Sequence, residues 1–180
     1  MRRAERRRAE RQGETPRTVR EIDDLLMVDD EARPGALRFA ESEGGPFLAG
    51  HGPTKIPPPI ELPHLLSAAG HVLAGSDADE DLRLLLAPGS SLGGARPEAS
   101  IRDRDGHLAI AKFPNKGDEI DAVLWDAVAL TLAAKGGVAV PAWRLKTVAG
   151  KPVLLLRRFD REHGMRVPFL SAMSMLDAKD

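Results

Sequence analysis

The chain has 180 residues, of which 29% are charged and 42% apolar, and its formal net charge is −1. That length allows one domain, or one and a half, with a core of useful size. Cysteine is absent, which excludes a disulfide framework, thiolate chemistry and a zinc cluster. Aromatics make up 4% and tyrosine does not occur, so few platforms exist for stacking single-stranded nucleic acid. No apolar run approaches the ~18 residues of a membrane span. The arginine-rich start lacks the apolar stretch of a secretory leader, and its glutamates argue against a transit peptide. A cytoplasmic protein is expected.

Residues 1–11 (MRRAERRRAER) hold six arginines and two glutamates. Alanine, arginine and glutamate favour helix, and Arg6 and Glu10 attract at i,i+4. Such a helix either touches a nucleic-acid backbone or presents a solvated charged face. Gly13 to Pro16 breaks it. Thr18 is then placed to cap a short helix, with Glu21 completing a capping box and Ile22, Leu25 and Leu26 as its buried face. Residues 33–35 (Arg-Pro-Gly) are a turn, and 36–39 a short extended piece. Residues 41–52 are rich in glycine and proline and have no period. Residues 53–63 (PTKIPPPIELP) carry five prolines and read as a stiff polyproline-type connector.

Leucine and alanine at helical spacing predict a helix over 62–73. Ser76 and Asp79 open another, with Leu82, Leu84, Leu85 and Leu86 as its apolar patch and Pro88-Gly89 as its stop. From Ser90 the pattern changes to strands. Residues 98–102 and 107–113 predict a hairpin across Asp105-Gly106. Asp118 is expected to cap a long helix running to Lys135, with Ile120, Val123, Leu124, Ala127 and Val128 on one face. Gly136-Gly137 is its C-terminal signal, and Pro141 favours an extended approach over 138–140. Residues 145–148 and 152–156 predict a second hairpin over 149–151.

The order strand–strand–helix–strand–strand predicts an antiparallel sheet with one crossing helix. A glycine turn (Gly93-Gly94) precedes the first hairpin, and the alternating run 108–111 delivers one charged residue, Lys112. A glycine loop cradling phosphates, a strand lysine and a helix acid are the parts of a kinase small lobe. The other reading of Lys112 is a solvated strand-edge lysine. The histidines at 51, 64, 71, 107 and 163 show no metal-ligand spacing, and no metal site is predicted.

The chain resembles the HipA family of bacterial toxin–antitoxin kinases. The likeness lies in MRRAERRRAER, residues 21–39, SSLGGARPEASI, LAIAKFP, the helix ending in VAVP, VLLLRRFDR and RVPFLSAMSML. It implies an α+β fold: a mainly helical N-terminal subdomain over 1–88, a kinase-like small lobe over 89–161, and the start of the large-lobe connection over 162–180. It implies a type II toxin that transfers the γ-phosphate of ATP, with Mg²⁺, to a protein serine. It also implies a HipB-like helix-turn-helix antitoxin as partner, operator DNA reached through it, and an aminoacyl-tRNA synthetase as substrate; no membrane is involved.

By the same resemblance Gly93, Gly94 and Ala95 fall on the nucleotide loop. Ser91, with Ser90 beside it, falls on the autophosphorylated serine; turn chemistry is the other reading of both. Lys112 falls on the lysine that contacts ATP phosphates. Asp126 falls where the family often has a glutamate, one methylene longer; Glu119 and Asp121 are alternatives for the ion pair, and a solvated helix residue is the plain reading of Asp126. Arg157 to Arg161, including Phe159, fall on the segment joining the lobes, where backbone groups meet adenine. The catalytic and Mg²⁺-binding aspartates of the family lie in a large lobe, and no matching segment occurs here. The sequence therefore reads as a piece of a HipA-like protein cut at both ends, inactive alone. The competing expectation is a non-catalytic interaction module that binds an antitoxin or a separate kinase lobe.

Overall fold

The hairpin at the centre follows from period-two alternation and a glycine turn. Strand β1 (Glu98–Arg102) pairs antiparallel with β2 (Leu108–Lys112), and Gly106 (φ +80°) turns the connection where a side chain would be strained. A computed structural model describes residues 6, 9–10, 12–26, 30–48, 61–74, 81, 84–85, 97–115 and 117–178. A second hairpin joins β3 (Trp143–Val148) to β4 (Lys151–Arg157), and β4 lies against β2. The result is a four-stranded antiparallel sheet in the order β1-β2-β4-β3. The second hairpin is longer than its predicted 145–148 and 152–156, because Trp143 pairs with Leu156 and closes the ladder two residues earlier.

Strand alternation divides the sheet into two faces. Ala99, Ile101, Ala109, Ala111, Val153 and Leu155 face one side. They form a single core with Phe113, Val148, Leu85 and the buried leucines and alanines of the helix Leu62–Ala74. That helix begins inside the predicted proline connector, since Pro63 sits in its first turn, where a missing N–H costs nothing. Residues 53–60 of the connector, and the predicted cap at Ser76 and Asp79, lie outside the described residues. On the opposite face Leu154 packs with Val123 and Ala127 of the helix Ala122–Lys135, with Leu130, Trp143 and Leu156 partly buried around them. Among the described residues, the helices with complete ranges are, in chain order, α1 (Glu21–Leu26), α2 (Leu62–Ala74), α3 (Ala122–Lys135) and α4 (Ala172–Met175).

Three local expectations are corrected. Helix α3 is capped by Asp121, whose Oδ1 accepts from Leu124 N at 3.1 Å, and not by Asp118. Asp118 instead accepts from Asn115 N at 3.3 Å and closes the turn before the helix. The predicted apolar face of α3 is narrower than its pattern: Val123 and Ala127 are buried, whereas Ile120, Leu124 and Val128 are exposed. The sheet covers only the stripe that meets Leu154. Helix α1 starts at Glu21, and the cap is the reciprocal half of a box: Arg20 N donates to Asp23 Oδ2 at 2.9 Å, so Thr18 is not the cap. Its predicted buried residues Ile22 and Leu26 are exposed, and Val19 before the helix is buried instead. In six residues, periodicity does not decide which side finds a partner.

A buried polar cluster ties residues 30–35 to the end of the sheet. Arg158 and Asp160 are 4% and 3% exposed, and each is satisfied. Arg158 Nε donates to Asp160 Oδ1 at 2.8 Å, and its other nitrogens reach the carbonyls of Ala32 and Arg33. Gly35 N donates to Asp160 Oδ2 at 2.7 Å, in a left-handed conformation (φ +70°) that glycine allows. Arg161, opening strand β5 (Arg161–Glu162), donates to the carbonyls of Glu31, Arg33 and Gly35. Arg166, closing β6 (Met165–Arg166), donates to those of Asp30, Arg33 and Gly35. Ala32 packs under the cluster against Leu108 of β2. Burial alone would raise the Asp160 carboxyl. The Arg158 hydrogen bond, the Gly35 N–H and the neighbouring guanidinium charges outweigh it and hold the group below the ordinary carboxylate range.

Removing one partner of such a buried pair leaves the other uncompensated, so Asp160→Asn should cost about 3 kcal/mol in urea unfolding. Because the folded value is depressed, the stabilisation from Asp160 is present above about pH 4, the ordinary aspartate value, and is lost as pH falls through the folded value below it. Stability that is flat with pH down to the acid transition would contradict this. The turn Ala149-Gly150 has both φ values positive (48° and 76°), the type I′ geometry that prefers Asn-Gly. Ala149→Asn should therefore raise the melting temperature, by about 0.5–1 kcal/mol of added stability.

Candidate functional site

Lys112 ends β2 on the face of the sheet that α3 covers. Its neighbour Ala111 is wholly buried on the other face, so the alternation leaves Lys112 no choice of side. Opposite it on β1 stands Glu98, its direct cross-strand partner, and on β4 its partner is the apolar Leu154. Helix α3 brings Asp126 over the same spot: Lys112 Nζ donates to Asp126 Oδ2 at 3.2 Å and lies 3.7 Å from Glu98 Oε1. The exposures differ in a way that matters. The side chains of Lys112 and Asp126 are 34% and 41% exposed, whereas that of Glu98 is 15% exposed. Burial pushes the Glu98 carboxyl above the ordinary range; the Lys112 ammonium works against that shift and the Asp126 carboxylate adds to it.

The geometry thus gathers one cation and two carboxylates from three elements. Asp126 reaches Lys112 despite being a methylene shorter than a glutamate. Of the alternatives, Asp121 is occupied with the helix cap and Glu119 is exposed in the preceding turn. Glu98 was missed in the sequence, although a signal was there. Counting outward by four residues from the pair Arg102–Leu108, on either side of the Asp105-Gly106 turn, sets Glu98 opposite Lys112.

The remaining predicted residues are spread out. Ser90, Ser91, Gly93, Gly94 and Ala95 lie outside the described residues. Arg157 is the cross-strand partner of Ala109, three residues along β4 from the partner of Lys112 and of opposite parity. The two side chains therefore leave opposite faces about 10 Å apart along the strand. Arg157 Nη2 lies 3.1 Å from His107 Nδ1, and its backbone N–H is bonded to Ala142 O. Phe159 is largely exposed and meets Phe169 edge-on, with ring centroids 4.9 Å apart. Among the described residues no group of three His, Asp or Glu side chains is placed to hold a metal ion, and no helix is long and apolar enough to cross a membrane.

Fold and site define an α+β protein whose small antiparallel sheet carries a strand lysine paired with an aspartate on the helix above it. The chain belongs to the HipA-like family: residues 90–180, just over half of its length, match the HipA-like C-terminal domain. No curated protein and no solved structure matches it.

The charge relations within the site can be read directly by carboxyl NMR. Lys112→Met removes a cation and should move the Glu98 titration to higher pH. Asp126→Asn removes an anion and should move it to lower pH. A Glu98 titration that neither substitution shifts would mean the three groups are not coupled.

Proposed function

We propose that the chain is the nucleotide-binding small lobe of a HipA-like protein serine/threonine kinase, the toxin of a type II toxin–antitoxin pair. The observation that carries this reading is the Lys112–Asp126 ion pair on the sheet face, in a chain of the HipA-like family. A lysine restrained by a helix acid offers a fixed point charge to the phosphates of ATP, whose transfer depends on positioning and charge neutralisation. Gly93, Gly94 and Ala95 supply the backbone donors of the phosphate loop. The backbone of residues 157–159 faces adenine; since the N–H groups of Arg157 and Arg158 are bonded to Ala142 O and Leu108 O, the adenine contacts come from the remaining groups of that segment. Ser91, or Ser90, is the autophosphorylation site, where added negative charge would drive the loop off the phosphates.

Bound ATP and Mg²⁺ supply the transferable γ-phosphoryl group and its neutralising cation. Lys112 fits a phosphate contact, whereas Glu98 and Asp126 are both engaged with Lys112; in this reading Mg²⁺ would be held by the aspartates of a kinase large lobe. No His-Arg-Asp-like or Asp-His-x-x-Asn-like segment occurs in the 180 residues. A polypeptide of this sequence alone therefore binds ATP without transferring phosphate. The HipB-like antitoxin, operator DNA bound through it, and an aminoacyl-tRNA synthetase as phosphate acceptor belong to the same reading.

A second reading, a non-catalytic module that binds an antitoxin or a separate kinase lobe, is favoured by the exposed apolar side chains of Phe159, Met165, Leu170 and Leu176. Titration calorimetry with ATP separates the two. The first expects binding that Lys112→Ala weakens about tenfold, the worth of a hydrogen bond to a charged group, with no radiolabel passed to protein from labelled ATP. No ATP binding, together with capture by a helix-turn-helix antitoxin, would favour the second. Label incorporated by this chain alone, and lost in Lys112→Ala, would overturn the claim of inactivity.

A further inference from the structure

Glu98 has no role in the nucleotide site as described above. We propose that Glu98 is a positioning residue that competes with bound polyphosphate for the Lys112 ammonium, so that nucleotide affinity is set by how much of that charge Glu98 gives up. The inference deepens the nucleotide-binding reading and rests on it.

Three observations carry it. First, the strand register fixes Glu98 directly across from Lys112, so backbone hydrogen bonding holds the two together whatever the side chains do. Second, Lys112 Nζ is shared, 3.2 Å from Asp126 and 3.7 Å from Glu98. With all three groups ionised the cluster carries one net negative charge, and an arriving polyphosphate adds more. Third, the two acids are not equivalent. Asp126 is 41% exposed at its side chain, where solvent and salt screen it, whereas Glu98 is 15% exposed and its charge is felt more fully. The charged groups acting on Glu98 are Lys112 from β2 and Asp126 from α3; β4 presents Leu154 to the same spot. Asp126 is the nearer partner of the lysine, so the ammonium keeps its restraint when Glu98 lets go. Glu98 therefore acts mainly as a like charge beside the phosphates.

The burial that raises the Glu98 carboxyl gives the competition a pH dependence. Protonated Glu98 leaves the ammonium to the ligand, and ionised Glu98 does not. Comparing the native chain with Glu98→Gln at each pH cancels the ligand's own ionisation.

The test is calorimetric titration of both chains with ATP, ADP and adenosine from about pH 5 to about pH 8. Glu98→Gln should bind ATP about fivefold tighter at the alkaline end, the upper range for a partly exposed ion pair. The gain should be smaller for ADP and absent for adenosine, and it should be less at the acid end than at the alkaline end, since lower pH is the direction in which native Glu98 takes up a proton. If Glu98→Gln does not fold, Glu98→Met, of similar length and uncharged, carries the same expectation. ATP binding that is unchanged or weakened in the folded variant, or an equal gain for adenosine, overturns the inference alone. ATP binding by neither chain overturns the nucleotide reading and this inference with it.

Discussion

The two-sided alternation of β2 is the constraint on which the rest of the structure depends. Ala109 and Ala111 face α2 and are buried there, while Ile110 and Lys112 face α3. A slip of one residue in the pairing with β1 or β4 would drive Lys112 into the apolar core and expose the alanines. Burial of a lone ammonium is costly enough to forbid it. The same register that packs the core therefore places the one cation, and with it the cross-strand acid Glu98 and the helix acid Asp126.

A second polar system works at the other end of the sheet and for a different purpose. Arg158, Arg161 and Arg166 collect the carbonyls of residues 30–35, and Asp160 accepts from the Gly35 backbone at their centre. Backbone carbonyls of an irregular segment need partners when buried, and guanidinium groups with five fixed donors each meet that need in a way lysine could not. The Asp160 carboxylate and the collected carbonyls are hydrogen-bonded and largely enclosed, so the role of this cluster is to fasten one stretch of chain to another. The Lys112 cluster is partly open and unbalanced in charge. That contrast, more than the number of charges in either, separates a fastening from a site.

Elements with strong local signals were legible. The β1–β2 hairpin, α2 and α3 follow from alternation, helical spacing and glycine turns, and their predicted ends lie within a few residues of those observed. Errors fell where two local solutions compete. Asp118 and Asp121 are both capable caps three residues apart, and only the turn through Asn115 decided between them. In α1 the apolar spacing was real but too short to say which side would be covered. The cluster around Asp160 was illegible, because its partners are separated by about 125 residues of sequence and several are backbone atoms with no residue type to announce them.

The sequence by itself determined which residues alternate, where the chain turns, and hence that Lys112 leaves the sheet on the side opposite its alanine neighbours; these depend on interactions within a few residues. The sequence also carried the likeness that its family membership bears out over residues 90–180. Only the tertiary structure decided that α3 sets Asp126 within hydrogen-bonding distance of Lys112, that Glu98 is the more enclosed of the two acids, and that Arg158 and Asp160 are buried together. Those outcomes depend on how separate elements pack, and the distance and burial of a charge exist only once the elements have met.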